Sequence, residues 1–391
     1  MKQFIFSLFV SILSLSAMGQ GINFEENHDL NVALDKAKAA DRLVFIDAYA
    51  VWCGPCKMMA RDIFPQKEVG EYYNARFVNL KLDMEAPENI EIAKKYGVAA
   101  YPTYLFLNAD GELVHKGLGG MSANKFIELG KQAYDDENNF MAISRKLKSG
   151  DMSYNTVRRY LEQNPYDTNN GELVDTYFQK LQDYEIYRME NWELFRDFVS
   201  DIDSYSFQYF LKNRGQIGRY IGIEKVYKKI TDAMAETYYN DPNTEDKLKS
   251  IDPTLFVEAK NKVNLSKAYG KFRKDKEDKT SWDELTNALN TYLSNKNDPM
   301  ELNNFAWMVY ENYKKFDDKS ALKDALGWAK MAHEAAPDKD FIADTYAHLL
   351  YENGNTKDAI AMETKALDLA KQAGDLDREE EYAKAIEKFR K

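Results

Sequence analysis

A change of rhythm near residue 135 constrains this chain more than any other feature. Residues 20–135 alternate short apolar runs with helical periodicity, whereas residues 136–391 carry helical periodicity and almost no strand signal. An α/β domain followed by an all-α region is the expected architecture, with the boundary at Asp135-Asp136-Glu137-Asn138. In the first part, residues 43–48 (LVFIDA), 76–82 (RFVNLKL) and 103–107 (TYLFL) read as buried strands. A turn at 108–111 (NADG) leads to a fourth strand at 113–116, and helices are expected over 29–40, 54–73, 87–96 and 122–135.

With 391 residues, 44% of them hydrophobic and 30% charged, the chain is long enough for two or three globular units. Its start combines Lys2, an apolar stretch from Phe4 to Ala17 and the small residues Ala17 and Gly19. That pattern is expected to be a secretory signal peptide cut after Gly19, because the stretch is shorter than the roughly 18–20 residues a membrane span needs. Cleavage removes one lysine and no acid, moving the formal charge from −11 to −12. Nucleic acid and anionic lipid are therefore not expected as partners, since both are held chiefly by lysine and arginine.

An exported protein can use disulfides for stability, yet this one has 2 cysteines, Cys53 and Cys56, in one C-x-x-C. A loop that small restrains the unfolded chain little, so reactivity is the reason to keep the pair. C-x-x-C is also half of a zinc site, which needs about two further ligands. The chain offers only His28, His115, His333 and His348, none paired at ligand spacing, and haem attachment would want histidine where Lys57 stands. No metal or cofactor is expected. A strand ending near Tyr49 delivers Trp52 and Cys53 to a helix starting at Gly54, whose free N–H groups favour a thiolate at Cys53. Cys53 is then the nucleophile, exposed to a partner's disulfide, and Cys56, one turn deeper, the resolving thiol.

The run FIDAYAVWCGPCKMM resembles the active-site strand, turn and helix of thioredoxins, and the resemblance extends to the end of the first domain. It implies that Asp47 is the family's buried carboxylate near the resolving cysteine, that Lys81 is its lysine partner, and that together they serve the proton of Cys56. It also implies that Pro102, after Tyr101, is the family's cis-proline, that Trp52, Gly54, Pro55, Tyr101 and Pro102 meet the substrate, and that Gly119 and Gly120 lie beside its groove. The segments 61–65 (RDIFP) and 68–69 (EV), with Asp83, resemble the C-terminal periplasmic domain of membrane thiol-disulfide interchange reductases. Histidine before the second cysteine accompanies oxidants and isomerases in this family; Pro55 stands there instead, which points to reduction of protein disulfides.

In the second part Ala325 and Ala332 repeat 34 positions later as Ala359 and Ala366, with Tyr346, Ala347, Leu350, Tyr351 and Gly354 between them. Residues 300–373 resemble a tetratricopeptide repeat, capped by a helix over 376–390. The expected fold is thus an α/β thioredoxin domain (20–135), an α-helical region without a phased repeat (136–299) and tetratricopeptide-like repeats (300–391). The expected function is a periplasmic or secreted protein-disulfide reductase whose helices bind partner proteins. No nucleotide-binding fingerprint is present, so electrons should arrive from an upstream thiol donor such as a membrane reductase. An envelope scaffold built on the helices and a disulfide oxidase or isomerase are the rival readings. Tyr205, Tyr209, Tyr220, Tyr227, Tyr238 and Tyr239 are read mainly as helix-packing core with hydroxyls at its rim, the other reading being an aromatic binding face.

Overall fold

The computed structural model describes residues 21–182 and 184–391, so the expected signal segment at 1–19 lies outside the described residues. The first elements run α1 (Leu30–Ala40), β1 (Leu43–Tyr49), α2 (Gly54–Met58), a π-helical turn (Met59–Ile63), α3 (Lys67–Arg76) and β2 (Phe77–Asp83). A 3-10 turn at Pro87–Asn89 opens α4 (Ile90–Lys95), and β3 (Thr103–Leu107), β4 (Leu113–Leu118) and α5 (Ala123–Gln132) complete the domain. The sheet order is β2-β1-β3-β4, with β1 parallel to β2 and antiparallel to β3, and β3 antiparallel to β4.

β1 is apolar almost throughout because both its faces are covered. Val44, Ile46 and Ala48 pack with Ala33 and Ala37 of α1 and with Leu80, Leu82, Leu105 and Leu107. Phe45 turns the other way, into Met59, Tyr73, Phe77, Tyr104, Phe106 and Phe126. Pairing is in register, Asp47 standing between Lys81 on β2 and Tyr104 on β3.

Two local departures from the expected elements have simple causes. The helix expected over 54–73 is interrupted: Phe64 N–H bonds to Met59 O at 2.9 Å, and the helix restarts at Lys67. Pro65 supplies no N–H and its ring crowds the carbonyl four residues back, so a continuous helix cannot pass it. Residues 22–25 add a short pairing along β2, with Glu25 N–H on Asn79 O at 2.8 Å and a bridge from Phe24 to Asn79.

Beyond α5 the described chain is helical: α6 (Phe140–Lys148), α7 (Tyr154–Gln163), α8 (Asn170–Lys180), α9 (Met189–Phe198), α10 (Tyr205–Ile221), α11 (Ile223–Asn240), α12 (Glu245–Ile251) and α13 (Pro253–Lys274). Then follow α14 (Lys279–Leu293), α15 (Pro299–Phe316), α16 (Lys319–Ala335), α17 (Asp340–Glu352), α18 (Thr356–Ala373) and α19 (Leu376–Phe389). The chain divides into two compact units, the first reaching Val199 and taking 203–210, the second taking 200–202 and 211–391.

In the first unit α6 docks on β4. The Phe140 N–H donates to His115 Nδ1 at 3.2 Å, and Lys116 reaches over the Phe140 ring to Asn164. Burial holds the His115 imidazole down at about 4, so it is neutral there and free to accept that bond. Phe178, Phe195 and Phe210 form a second aromatic core between α8, α9 and the start of α10.

In the second unit successive helices are opened by aspartates. Asp252, Asp278, Asp298 and Asp318 each accept backbone N–H bonds at the starts of α13, α14, α15 and α16. Proline follows directly at Pro253 and Pro299, where its missing N–H has no intrahelical partner to lose. Ala325, Ala332, Ala359 and Ala366 are all fully buried, the small side chains that allow neighbouring helices to approach. None of the six tyrosines expected mainly in the core is buried; Tyr205, Tyr220, Tyr227 and Tyr239 are exposed, Tyr220 by 69%. Among the described residues, no helix is long and apolar enough to cross a membrane.

Candidate active site

β1 ends at Tyr49, and the chain turns through Ala50, Val51 and Trp52, with Cys53 N–H closing onto Ala50 O at 3.1 Å. Cys53 has extended backbone angles and is the N-cap of α2. Its sulfur accepts the Cys56 N–H at 3.1 Å and its carbonyl accepts the Lys57 N–H at 3.2 Å. Gly54 and Pro55 fill the first two helical positions, where proline costs no hydrogen bond. Because the π turn continues α2 directly, residues 54–63 form one unbroken helical run behind the cysteines.

Cys53 and Cys56 are joined as a disulfide. Sequence reasoning expected Cys53 exposed; in the disulfide form it is 2% exposed and Cys56 5%. Ala50 packs against the pair, and Tyr49 and Tyr101 close over the cluster. The neighbouring Val51 and Trp52 are the open residues, at 61% and 65%.

Three loops converge on this turn. The Trp52 indole N–H donates to both carboxylate oxygens of Glu85, at 2.9 and 3.1 Å, and its ring stands edge-on to Tyr101 at 5.9 Å. The Tyr101–Pro102 peptide is cis, as the resemblance implied. Pro102 O accepts the Gly119 N–H at 2.9 Å, tying the proline loop to the end of β4. Gly119 has φ +81°, a conformation glycine adopts freely, and a Cβ on Gly120 would lie 2.8 Å from Met58 Cε and 3.6 Å from Pro55 Cβ.

Asp47 occupies the aromatic face of β1, the face covered by Met59 and Phe126, and is 1% exposed. Lys81 Nζ stands 3.7 Å from Asp47 Oδ2, an ion-pair contact too long for a hydrogen bond. Among the described residues neither Asp47 oxygen has a hydrogen-bond partner, and the Tyr104 hydroxyl across the register has none either. Burial pushes the Asp47 carboxyl up to about 6, with Lys81 opposing the shift. Lys81 also lies over the Tyr49 ring at 4.7 Å, and its carbonyl meets His28 Nδ1 at 3.0 Å. A carboxyl that titrates near 6 beside a dithiol helix can take up and release protons at neutral pH.

The sequence-predicted residues thus fall into two groups. Cys53, Cys56 and Tyr101 pack together, the exposed Trp52, Gly54 and Pro55 flank the cysteines in the chain, and Pro102 is buried next to Tyr101, while Asp47 and Lys81 pair on the sheet. Sequence reasoning missed Glu85, Tyr49 and Tyr104. Glu85 follows β2 by two residues and reveals itself only once the turn after β2 is placed beside Trp52.

Residues 30–134 match the family model described as a thioredoxin-like domain. The chain is 38% identical to Thioredoxin H4 of Arabidopsis thaliana over 107 residues, 27% of this chain and 82% of that protein. It is 31% identical to the thiol:disulfide interchange protein DsbD of Pseudomonas fluorescens over 103 residues, which is 26% of this chain but only 18% of that one. Among solved structures, the oxidised C-terminal domain of Neisseria meningitidis DsbD is 33% identical, covering 28% of this chain and 97% of that domain with a TM-score of 0.25. The chain therefore belongs, through its N-terminal domain, to the thioredoxin-like family of thiol-disulfide oxidoreductases, with Cys53 and Cys56 as its Cys-x-x-Cys pair.

Proposed function

We propose that this protein is a cell-envelope protein-disulfide reductase whose helical regions bind partner proteins. The carrying observation is Cys53 at the N-cap of α2, its sulfur accepting the Cys56 N–H and bonded to Cys56. In the reduced protein that N–H and the helix dipole stabilise a Cys53 thiolate. The thiolate attacks a partner disulfide, one partner sulfur leaves as thiolate, and Cys53 is held in a mixed disulfide. Cys56, its proton taken by Asp47 with Lys81 beside it, then attacks Cys53 Sγ and releases the second partner thiol. The partner gains two electrons and the protein regains its disulfide, to be reduced by an upstream thiol donor, which we take to be a membrane reductase.

Trp52, Gly54, Pro55, Tyr101 and Pro102 form the surface a partner meets, and the open Trp52 and Val51 give it an apolar lip. Pro55 in place of a histidine favours the reducing direction. The sequence pattern at 1–19 supports export and cleavage of a signal peptide, hence a periplasmic or secreted location. The division into a thioredoxin-like domain (20–135), a helical region (136–299) and tetratricopeptide-like repeats (300–391) rests on the change in periodicity and the 34-residue spacing of buried alanines.

Direction is decided by the redox potential of the Cys53–Cys56 pair, measured by equilibration with dithiothreitol or glutathione. A potential near that of thioredoxin, about −270 mV, is expected, and one near the DsbA value of about −120 mV would replace the reductase by an oxidase. The rival scaffold role makes a different forecast: a double cysteine-to-serine protein would keep its partners and rescue a deletion phenotype.

A further inference from the structure

The second unit holds a cluster of ligating groups that dithiol chemistry does not use. Asp344 and His348 stand four apart on α17, hence on one face, and Glu363 comes from the middle of α18. One donor atom from each of the three lies within 4.8 Å of the others. His348 Nδ1 is 3.1 Å from Asp344 Oδ1 and 3.9 Å from Glu363 Oε2. Ligands around a tetrahedral ion at bonds of about 2.0–2.1 Å are separated by roughly 3.4 Å, so these two distances bracket the spacing a zinc-sized ion requires.

Glu363 supplies an independent observation. It is fully buried, and among the described residues neither of its carboxylate oxygens has a hydrogen-bond partner. Its charged neighbours include Asp344, whose Oδ1 meets the same His348 Nδ1 that stands 3.9 Å from Glu363 Oε2. Buried carboxylates are ordinarily paired with a cation or a metal. Here the interhelix space gathers two carboxylates and an imidazole without a lysine or arginine among them.

The surroundings suit a bound ion. Trp307 and Tyr310 of α15 and Phe389 of α19 stand edge-on around the His348 ring at 5.7, 5.3 and 5.1 Å. Such an aromatic sleeve fixes the ring and limits water, as the outer shells of metal sites do. One imidazole nitrogen with two carboxylate oxygens suits zinc or a similar divalent transition ion, whereas calcium and magnesium favour all-oxygen shells.

We propose that Asp344, His348 and Glu363 form a site for a zinc-class divalent metal ion, clamping α17 to α18. His348 binds through Nδ1 and so carries its proton on Nε2, giving up the Nδ1 contact with Asp344 O at 3.1 Å. Three protein donors leave a tetrahedral ion one position for water.

The test uses the full chain with Cys53 and Cys56 kept as the disulfide, so that no thiolate competes for metal. Titration with Zn2+ is expected to show one ion bound per chain, undisturbed by excess Mg2+. His348→Ala and Glu363→Gln should each weaken binding by at least about 100-fold, the upper end of what loss of an outer-shell partner costs. At zinc 100 times its dissociation constant, the unfolding equilibrium of the wild type should shift about 100-fold toward the folded state, and that of Glu363→Gln should not. Should either variant fail to fold, the visible spectrum of Co2+ on the wild type decides instead, with tetrahedral bands and no thiolate charge transfer expected. The proposal is overturned by a wild type without saturable binding, by binding that survives both substitutions, or by a Co2+ spectrum without tetrahedral bands. A Glu363→Gln chain more stable than a zinc-insensitive wild type would also overturn it, identifying Glu363 as a protonated acid.

Discussion

Cys56→Ser is expected to bring catalysed insulin reduction down to the dithiothreitol background and, when incubated with partner disulfides without dithiothreitol, to accumulate mixed disulfides on Cys53 to nearly one per chain. Cys53→Ser should reach the same background rate with no mixed disulfide at all. The asymmetry follows from the N-cap. The Cys53 sulfur accepts the Cys56 N–H, so the helix start stabilises negative charge at Cys53 and not at Cys56. Lowering a thiol from about 8.5 to about 7 raises its thiolate fraction at neutral pH from a few per cent to about half. Without Cys56 nothing three residues away can attack the mixed disulfide, and release waits for external thiol. Electrophoresis without reductant, followed by identification of the trapped partners, reads the outcome and names the substrates. Equal trapping by the two variants would remove the division of roles.

The low exposure of Cys53 sharpens that experiment. At 2% exposed in the disulfide form, the nucleophile packs against Tyr101, whose ring meets that of Trp52 edge-on at 5.9 Å. Trp52 is in turn held by Glu85. On the proposed reading, the surface around the cis-proline loop selects partners along with the disulfide they carry.

What the sequence made legible was whatever depends on local rhythm. β1 could be read because a strand covered on both faces is apolar at nearly every position, and Asp47 stood out within it for that reason. The cysteine chemistry could be read because 2 cysteines in one chain leave few alternatives. Interruptions were harder: Pro65 marks the end of the first helical run, but the wide turn before it, with Phe64 N–H on Met59 O, has no signature in the sequence. The pairing of 22–25 with β2 was invisible because a bridge that short carries no alternation. The role of α6 as a cover for β4 depends on His115 meeting Phe140, two residues 25 apart with no pattern linking them. Asp344, His348 and Glu363 escaped a search for ligand spacing for a similar reason. The 15-residue separation of His348 and Glu363 becomes a 3.9 Å approach only when the small residues Ala347, Ala359 and Ala366 let α17 and α18 close.

Asp47→Asn is expected to stabilise the folded protein at pH 8 and to slow it as a catalyst. Moving the carboxyl from 3.8 to about 6 costs the folded state about 3 kcal/mol whenever the group is charged. Between pH 4 and 6 the folded protein binds more protons than the unfolded chain, so wild-type stability should fall as pH rises through that window and stay lower above it. Asparagine cannot ionise. The variant should therefore gain up to about 3 kcal/mol over the wild type at pH 8 and nothing at pH 4, as read from urea midpoints at the two pH values. Lys81 tolerates the exchange because its side chain is 27% exposed and also rests on the Tyr49 ring. Catalysis pays for that gain. With no carboxylate to receive the Cys56 proton, resolution of the mixed disulfide should slow by about 100-fold, the lower end of what a positioned acid-base group contributes. An Asp47→Asn protein no more stable than the wild type at pH 8 would show that Lys81 already compensates the buried charge. One that is stabilised but equally fast would assign the proton of Cys56 to another acceptor.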